Sequence, residues 1–206
     1  MRNPAIGIAG YMGSGKSTCA NYMGRLLGAE IIDADGVAKQ LMQKEPEIRW
    51  MLVKSFGEHI FDKQEISFFS LGKKVFSEEE NLLRLNAIVH PFLVDRLWEM
   101  VRNVKEKPVI LDAALISYWR IEQLFDILIW VHSCEELRVK RLEKKTKLPP
   151  EEIRTRMHLQ QSLFSSPSGT RWHVLSNEDS PEKMRADIDG LIRSYDIQQG
   201  ANHDIG

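Results

Sequence analysis

Lysine and hydroxyl side chains near the N-terminus stand at a spacing that binds phosphate. Residues 10–17 fit the pattern G-x-x-x-x-G-K-[ST], and an apolar run over residues 6–9 precedes them. Gly10, Gly13 and Gly15 allow positive φ angles and a close approach of the backbone to a ligand. Successive amide groups can then converge on one anion. The pattern predicts a phosphate-binding loop between a strand and a helix.

The helix expected after this loop adds its positive end to the same point. Lys16 would reach the β- and γ-phosphates, and the hydroxyl of Ser17 would bind Mg²⁺. A glycine-rich turn followed by an ordinary surface lysine is the alternative, but apolar residues at helical spacing continue the pattern as far as Leu27. The motif therefore predicts a bound Mg-nucleoside triphosphate, with contacts from Gly10, Gly13, Ser14, Gly15, Lys16, Ser17 and Thr18.

Carboxylates end two further apolar runs. Asp112 follows residues 109–111 in a Walker-B arrangement that could hold Mg²⁺ directly or through water, although a helix N-cap would use the same residue type. Asp33 and Asp35 follow a short run over residues 30–32 and could orient and deprotonate an acceptor hydroxyl, although such aspartates also serve local turns. Ligands of open α/β sheets bind at the carboxyl ends of strands, where these carboxylates are expected.

A basic segment follows in the C-terminal half. Arg138, Arg141 and Lys145 stand at i, i+3 and i+7, with Lys140, Lys144 and Lys147 beside them, before prolines 149 and 150 break the helix. A solvated helix face is the common explanation of such charge runs. Beside a triphosphate site, the segment favours a mobile lid over about residues 138–161, whose cations close on phosphates.

The elements that must position these residues alternate between strand and helix. Buried strands are predicted over 30–32, 109–112 and 126–131, with a further short strand over 172–175. Helices are predicted over 36–43, over 150–161 and from Pro181, and residues 46–105 indicate helix without a strong strand. With the leading phosphate loop, this alternation predicts an α/β fold, a doubly wound, five-stranded parallel sheet with right-handed crossovers.

Several local signals refine this outline. Residues 77–80 form a capping-box pattern, and Ser133 with Glu136 should cap the basic helix. His90, which precedes Pro91, is expected as a turn or cap between two helices, and residues 198–206 as a frayed tail.

Length and composition bound the class of protein. The 206 residues suit one domain, and a net charge of −1 gives no reason to expect nucleic acid or an anionic membrane. Cys19 and Cys134 lack the spacing of a disulfide framework or zinc site and are expected in the core. With neither a secretory signal nor an apolar run of about 20 residues, we expect a soluble cytoplasmic protein, a monomer or weak homo-oligomer.

With these residues placed, the sequence resembles the dephospho-CoA kinases, the last enzymes of coenzyme A biosynthesis, over nearly its whole length. Residues 32–35 read Ile-Asp-Ala-Asp as in that family, and residues 85–91 are similar to its L-N-x-I-x-H-P pattern. Further matches are residues 38–41, 56–57, 71–72, 75–76 and 111–112, Leu115, residues 141–142, Arg156, Gln160 and Asn177.

The resemblance implies a P-loop kinase domain over residues 1–206, with a helical acceptor-binding insertion at about 44–105 and the lid at about 138–161. ATP would phosphorylate the 3′-hydroxyl of the ribose of dephospho-CoA, with Mg²⁺ on Ser17 and Asp112. The implied catalytic residues are Lys16, Asp33 and Arg141; Arg141 and Asn177 would also contact the nucleotide. The implied acceptor-binding residues are Asp33, Asp35, His90 and Leu115.

Some positions depart from the family pattern. Ala114 replaces a usual proline, Tyr118 a glutamate and Phe68 a common arginine, while Lys145-Thr146 replaces Arg-Asp in the lid. Lysine keeps the charge but lacks the planar fork that suits phosphate. These changes leave open a nucleoside, nucleoside-monophosphate or other small-molecule kinase, and a nucleotide-binding protein without kinase activity.

Overall fold

A computed structural model describes residues 3–146, 148–167 and 169–195 of the chain. The strands in these ranges are β1 Ala5–Ala9, β2 Glu30–Asp33, β3 Phe61–Asp62, β4 Glu65–Ile66, β5 Val109–Asp112, β6 Ile127–His132 and β7 Trp172–Ser176. The α-helices are α1 Lys16–Leu27, α2 Ala34–Lys44, α3 Pro46–Phe56, α4 Phe68–Val75, α5 Glu79–Asn103, α6 Glu135–Thr146, α7 Pro150–Leu163 and α8 Pro181–Ser194. The tail predicted over residues 198–206 lies outside the described residues, as does Lys147.

The main sheet has the strand order β2-β5-β1-β6-β7, and every neighbouring pair is parallel. Strands β5 and β6 flank β1 and carry continuous apolar runs, as strands covered on both faces do. Next to the sheet lies a buried core from β1, α1, β6 and α8, to which Ile8, Met23, Ile129 and Ile188 contribute. The five-stranded parallel sheet predicted from the sequence is confirmed.

The chain forms two compact units. One comprises the residues up to Asp33 and those from Met100 onward, and the other comprises Ala34–Glu99. The first holds the sheet together with α1, α6, α7 and α8. The second holds α2, α3, α4, most of α5 and a small antiparallel pair, β3 with β4. None of the helices in the described ranges combines the length and apolar character that crossing a bilayer demands.

The β3–β4 hairpin is an element that the sequence analysis missed, because each strand has only two residues. The side chain of Gln43 on α2 fixes it, donating to the carbonyl of Ile66 at 3.0 Å and accepting from its amide at 2.9 Å. Arg49 adds a bond to the carbonyl of Gln64 at 2.6 Å. These hydrogen bonds stabilise a hairpin whose own strand pairing is too short to be stable.

Helix α5 corrects the placement of His90, which was expected between two helices. The helix runs unbroken through Pro91, with His90 near its middle. A proline inside a helix lacks one hydrogen-bond donor and crowds the preceding turn. Here Ile88, Val89 and Leu93 are buried around it, and tertiary packing of an apolar face is what stabilises most helices in proteins.

Both predicted caps are also wrong. Helix α5 begins at Glu79, and the hydroxyl of Ser77 donates to the carbonyl of Lys74 at 2.8 Å. Helix α6 begins at Glu135, and the hydroxyl of Ser133 donates to the carbonyl of Asn177 at 3.1 Å. Both serines lie outside the capping position, so their hydroxyls satisfy carbonyl groups of neighbouring segments.

Candidate active site

Residues 10–15 form the loop between β1 and α1, at the carboxyl end of the sheet's central strand. Gly13 and Gly15 have φ angles of 77° and 98°. A Cβ atom at Gly13 would lie 2.9 Å from the carbonyl oxygen of Arg138, and one at Gly15 would collide with the side-chain amide of Asn177. Glycine is therefore required at both positions by backbone conformation and by close packing.

The N-terminus of α1 faces the same place. Its first helical bond runs from the amide of Cys19 to the carbonyl of Gly15 at 3.0 Å, and none of the described side chains caps the helix. The amides of residues 16–18 therefore have no carbonyl partner within the helix. Ser17 and Thr18 are exposed. Amides and helix dipole together form an anion site at this point.

Two carboxylates meet beside the loop. Asp33 ends β2, Asp112 ends β5, and the two are paired residues in the parallel register. Paired positions of neighbouring strands lie on one face of a sheet. Asp112 is 6% exposed, whereas Asp33 is exposed, and Nζ of Lys16 lies 3.9 Å from Oδ1 of Asp112. The site thus combines an exposed acid, Asp33, with a buried acid, Asp112, and the loop lysine Lys16.

Asp112 also acts on the first helix. Burial and, to a smaller extent, the charge of Asp112 together raise the pKa of the Cys19 thiol to about 12. The charge of Asp112 thus acts on α1, on which the exposed Ser17 carries a hydroxyl. Such an oxygen pair fits Mg²⁺, which takes one or two protein ligands and completes its shell with water and phosphate oxygens. The described residues hold no cluster of three or more His, Cys, Asp or Glu side chains suited to a metal.

Arg141 lies against the outside of the loop. Its Nη2 donates to the carbonyl of Asn177 at 2.7 Å, and its Nη1 donates to the hydroxyl of Ser133 at 3.0 Å. The same Nη1 makes longer bonds to the carbonyls of Ser14 at 3.3 Å and Gly13 at 3.4 Å. The sequence predicted Arg141 as a cation over the phosphates. In this structure its guanidinium joins the phosphate loop to the residues that follow β6 and β7.

Asn177 completes this arrangement. Its side-chain amide donates to the carbonyl of Ser14 at 2.7 Å, and its backbone amide donates to the carbonyl of His132 at 2.8 Å. The residue is buried. The side chain predicted to contact the nucleotide therefore binds the phosphate loop itself. Ser133 is a member of this network that sequence reasoning missed, because its position resembled a cap.

Arg138 is buried, unlike the described lysines of the basic segment. It is 3% exposed, and its guanidinium lies 5.2 Å from the centre of the Tyr11 ring. Burial lowers its pKa, and its Nε and Nη1 have no hydrogen-bond partner among the described residues. Lys144 and Lys145 are exposed. The base of the predicted lid is thus packed on the loop, while the lysines of its outer half face solvent.

The residues predicted to bind the acceptor fall in both units. Leu115 is half-buried, three residues after β5, in the unit that also holds Asp33. Asp35 is exposed in the first turn of α2, and His90 is half-buried in α5, both in the other unit. Burial lowers the pKa of His90 to about 4. Each unit therefore carries part of the predicted acceptor set.

Three departures from the expected pattern can also be placed. Phe68 begins α4, and Nζ of Lys39 lies 5.8 Å from the centre of its ring, so a cation stays near the position of the missing arginine. Ala114 is half-buried, and Tyr118 is exposed.

The chain matches one family of known proteins over most of its length. The family model described as dephospho-CoA kinase matches residues 4–180. A dephospho-CoA kinase from Bacillus licheniformis is 36% identical over 197 residues, covering 92% of this chain and 96% of its own. One from Wolinella succinogenes is 30% identical over 194 residues, covering 92% and 94%.

Solved structures show the same architecture. A Thermus thermophilus protein superimposes with a TM-score of 0.69 at 26% identity, covering 94% of this chain and 98% of its own. A dephospho-CoA kinase from Campylobacter jejuni has a TM-score of 0.56 at 20% identity, covering 93% and 97%, which is a likeness of fold. By its family match and by these relatives, the chain belongs to the dephospho-CoA kinase family.

Proposed function

We propose that this protein transfers the γ-phosphoryl group of ATP to the 3′-hydroxyl of the ribose of dephospho-CoA, giving CoA and ADP. Family membership supports the substrate pair. One observation carries the chemistry: the exposed acid Asp33 is paired with the buried acid Asp112, which lies beside Lys16 of the phosphate loop. Phosphoryl transfer depends on positioning and charge neutralisation, and this group of residues offers both.

Each residue has a distinct part in the proposal. The loop amides and the start of α1, over residues 13–18, hold the phosphates, and Lys16 neutralises charge on the transferred group. Ser17 and Asp112 would hold Mg²⁺, which supplies further neutralisation of the phosphate oxygens. Asp33 accepts a hydrogen bond from the attacking hydroxyl, orients it and receives its proton. Burial keeps Asp112 away from the acceptor, whereas the exposure of Asp33 suits it to that role.

The remaining proposed residues support binding. Arg141 and Asn177 hold the loop from outside, and the charge of Arg141 adds to the positive field at the phosphates. Asp35 and His90 in one unit, and Leu115 in the other, are the further residues that we propose bind the acceptor. The proposal also covers two whole segments: an acceptor-binding insertion at about 44–105 and a lid at about 138–161. We further propose that the protein is cytoplasmic and is a monomer or weak homo-oligomer.

The altered Phe68, Ala114 and Tyr118 favour a second candidate, a small-molecule kinase with another acceptor. Steady-state ADP release with Mg-ATP distinguishes the two when dephospho-CoA is compared with adenosine, AMP, CMP, pantetheine and no acceptor. We expect release that depends on dephospho-CoA, with CoA identified by mass. Release with another acceptor would support the second candidate, and ATP binding without release for any acceptor would indicate lost activity.

Replacing Asp33 with asparagine tests its role. Asp33→Asn keeps the size of the side chain but removes the proton acceptor, so we expect kcat to fall by about 10²- to 10⁴-fold. The affinity for ATP should stay within about twofold, because the carboxylate serves the acceptor. Glu30→Gln is the matched control, since Glu30 lies at the other end of β2 and pairs with Lys107 at 3.1 Å. Wild-type turnover of Asp33→Asn would remove Asp33 from the mechanism.

A further inference from the structure

Tyr11 and Met12 occupy positions that the phosphate-loop pattern leaves free, yet both are held by α6 and α7. The side chain of Met12 packs against a small apolar cluster between these helices, formed by Val139, Leu142, Ile153 and Met157. The ring of Tyr11 lies 5.3 Å from that of Phe164, the residue after α7, and its hydroxyl donates to the Phe164 carbonyl at 3.4 Å. The first half of the loop is therefore attached to the helices.

The local backbone explains why an outside partner is needed. The amide of Ser14 donates to the carbonyl of Tyr11 at 3.1 Å, which closes a turn with Met12 and Gly13 at its centre. Gly13 has a positive φ angle at the third position, as in type II turns. The turn's own hydrogen bond uses the amide of Ser14, so the amide of Met12 points away from it and requires an acceptor elsewhere.

Gln160 on α7 supplies that acceptor. Its Oε1 accepts from the amide of Met12 at 2.7 Å, and both residues are half-buried. Without this oxygen, the Met12 amide would lose its partner in a partly dry site, and the turn would have to rotate towards water. Gly13 and the amides that face the phosphates follow directly, so a rotation at Met12 would displace them.

We propose that Gln160 is a positioning residue: its bond to the Met12 amide fixes the phosphate loop in the shape that binds the triphosphate of ATP. Gln160 thereby sets nucleotide affinity through the loop, and its contact is with the backbone of Met12. The inference rests on the proposed function for the identity of the nucleotide. Its test is direct ATP binding, which is independent of the acceptor, so that an error in the acceptor leaves it intact.

Gln160→Met tests the proposal, because methionine keeps the length and flexibility of glutamine and removes the acceptor oxygen. We expect the Kd for ATP, measured by titration calorimetry, to rise about tenfold, which corresponds to about 1.4 kcal/mol. KM for ATP should rise with it, while kcat and KM for dephospho-CoA stay within about twofold. Gln123→Met is the control, because Gln123 is an exposed glutamine outside the proposed lid, and this variant should bind ATP as the wild type does.

Two results would overturn the proposal. One is an unchanged Kd for ATP in Gln160→Met with a lowered melting temperature, which would mean that Gln160 only stabilises the fold. The other comes from hydrogen exchange of the wild-type protein without nucleotide and applies even if the variant does not fold. We expect the Met12 amide to be protected by its bond to Gln160, and exchange at the rate of an open loop would contradict that bond.

Discussion

Arg141 should stabilise the protein even when no nucleotide is bound. Arg141→Met removes a guanidinium whose two shorter bonds reach Asn177 at 2.7 Å and Ser133 at 3.0 Å. Hydrogen bonds from charged groups contribute about 1.5–3 kcal/mol each, which gives about 3–6 kcal/mol for the pair. Because the side chain is half-buried, water replaces part of this, and we expect a loss of about 2–4 kcal/mol.

Thermal unfolding of the nucleotide-free protein measures this loss. In a domain of this size, 1 kcal/mol shifts Tm by about 2–4 °C, so Tm of Arg141→Met should fall by about 4–16 °C. Arg141→Lys keeps the charge, but its single ammonium group cannot span both acceptors, and Tm should fall about half as far. Lys140→Met is the control, because Lys140 is the exposed neighbour of Arg141 on α6. It should melt within about 2 °C of the wild type.

The opposite result would refute this reasoning. If Arg141→Met melted with the wild type in the absence of nucleotide and lost only the stabilisation that ATP adds, Arg141 would act on the bound nucleotide alone. It would then be a lid cation of the kind that the sequence first indicated.

Two further predictions concern buried cationic or titratable groups. Arg138→Met should leave Tm unchanged or raise it, because the buried guanidinium has two unpartnered nitrogens among the described residues; a fall of more than about 5 °C would contradict this. The pKa of His90 is lowered to about 4 by burial, so its contribution to stability is complete above pH 6.5 and is lost as the pH falls towards 4, by at most about 3 kcal/mol. Urea unfolding at pH 7 and pH 4.5 should show that loss in the wild type and not in His90→Gln, and equal losses would argue against it.

The phosphate loop and the strands that flank it were predictable because their signals are local. Glycine spacing identified the loop, and continuous apolar runs identified β5 and β6, with Asp112 at the end of β5. The packing of Asn177 and Arg141 on the loop was not predictable. It depends on the register of β6 with β7, which brings Asn177 beside the loop across more than 160 residues of sequence.

Local rules also gave wrong results where tertiary packing outweighed them. Pro91 is a helix breaker by its chemistry, but α5 continues through it with buried apolar residues on either side. Ser133 had the residue type of a cap, but Asn177 and Arg141 offered it partners that no local pattern reveals. Tyr11 and Met12 gave no signal, because the motif allows any residue type at their positions.

The raised pKa of Cys19 also affects the reactivity of its thiol towards oxidants and electrophiles. This cysteine stands two residues after Ser17, a position that would suggest it as the attachment point for covalent inhibitors of the nucleotide site. Its thiol is fully buried and its pKa is raised to about 12, so that the reactive thiolate is almost absent at neutral pH. Alkylating reagents and peroxide should therefore leave the phosphate loop intact, and covalent inhibitors of this enzyme would have to be directed at another nucleophile.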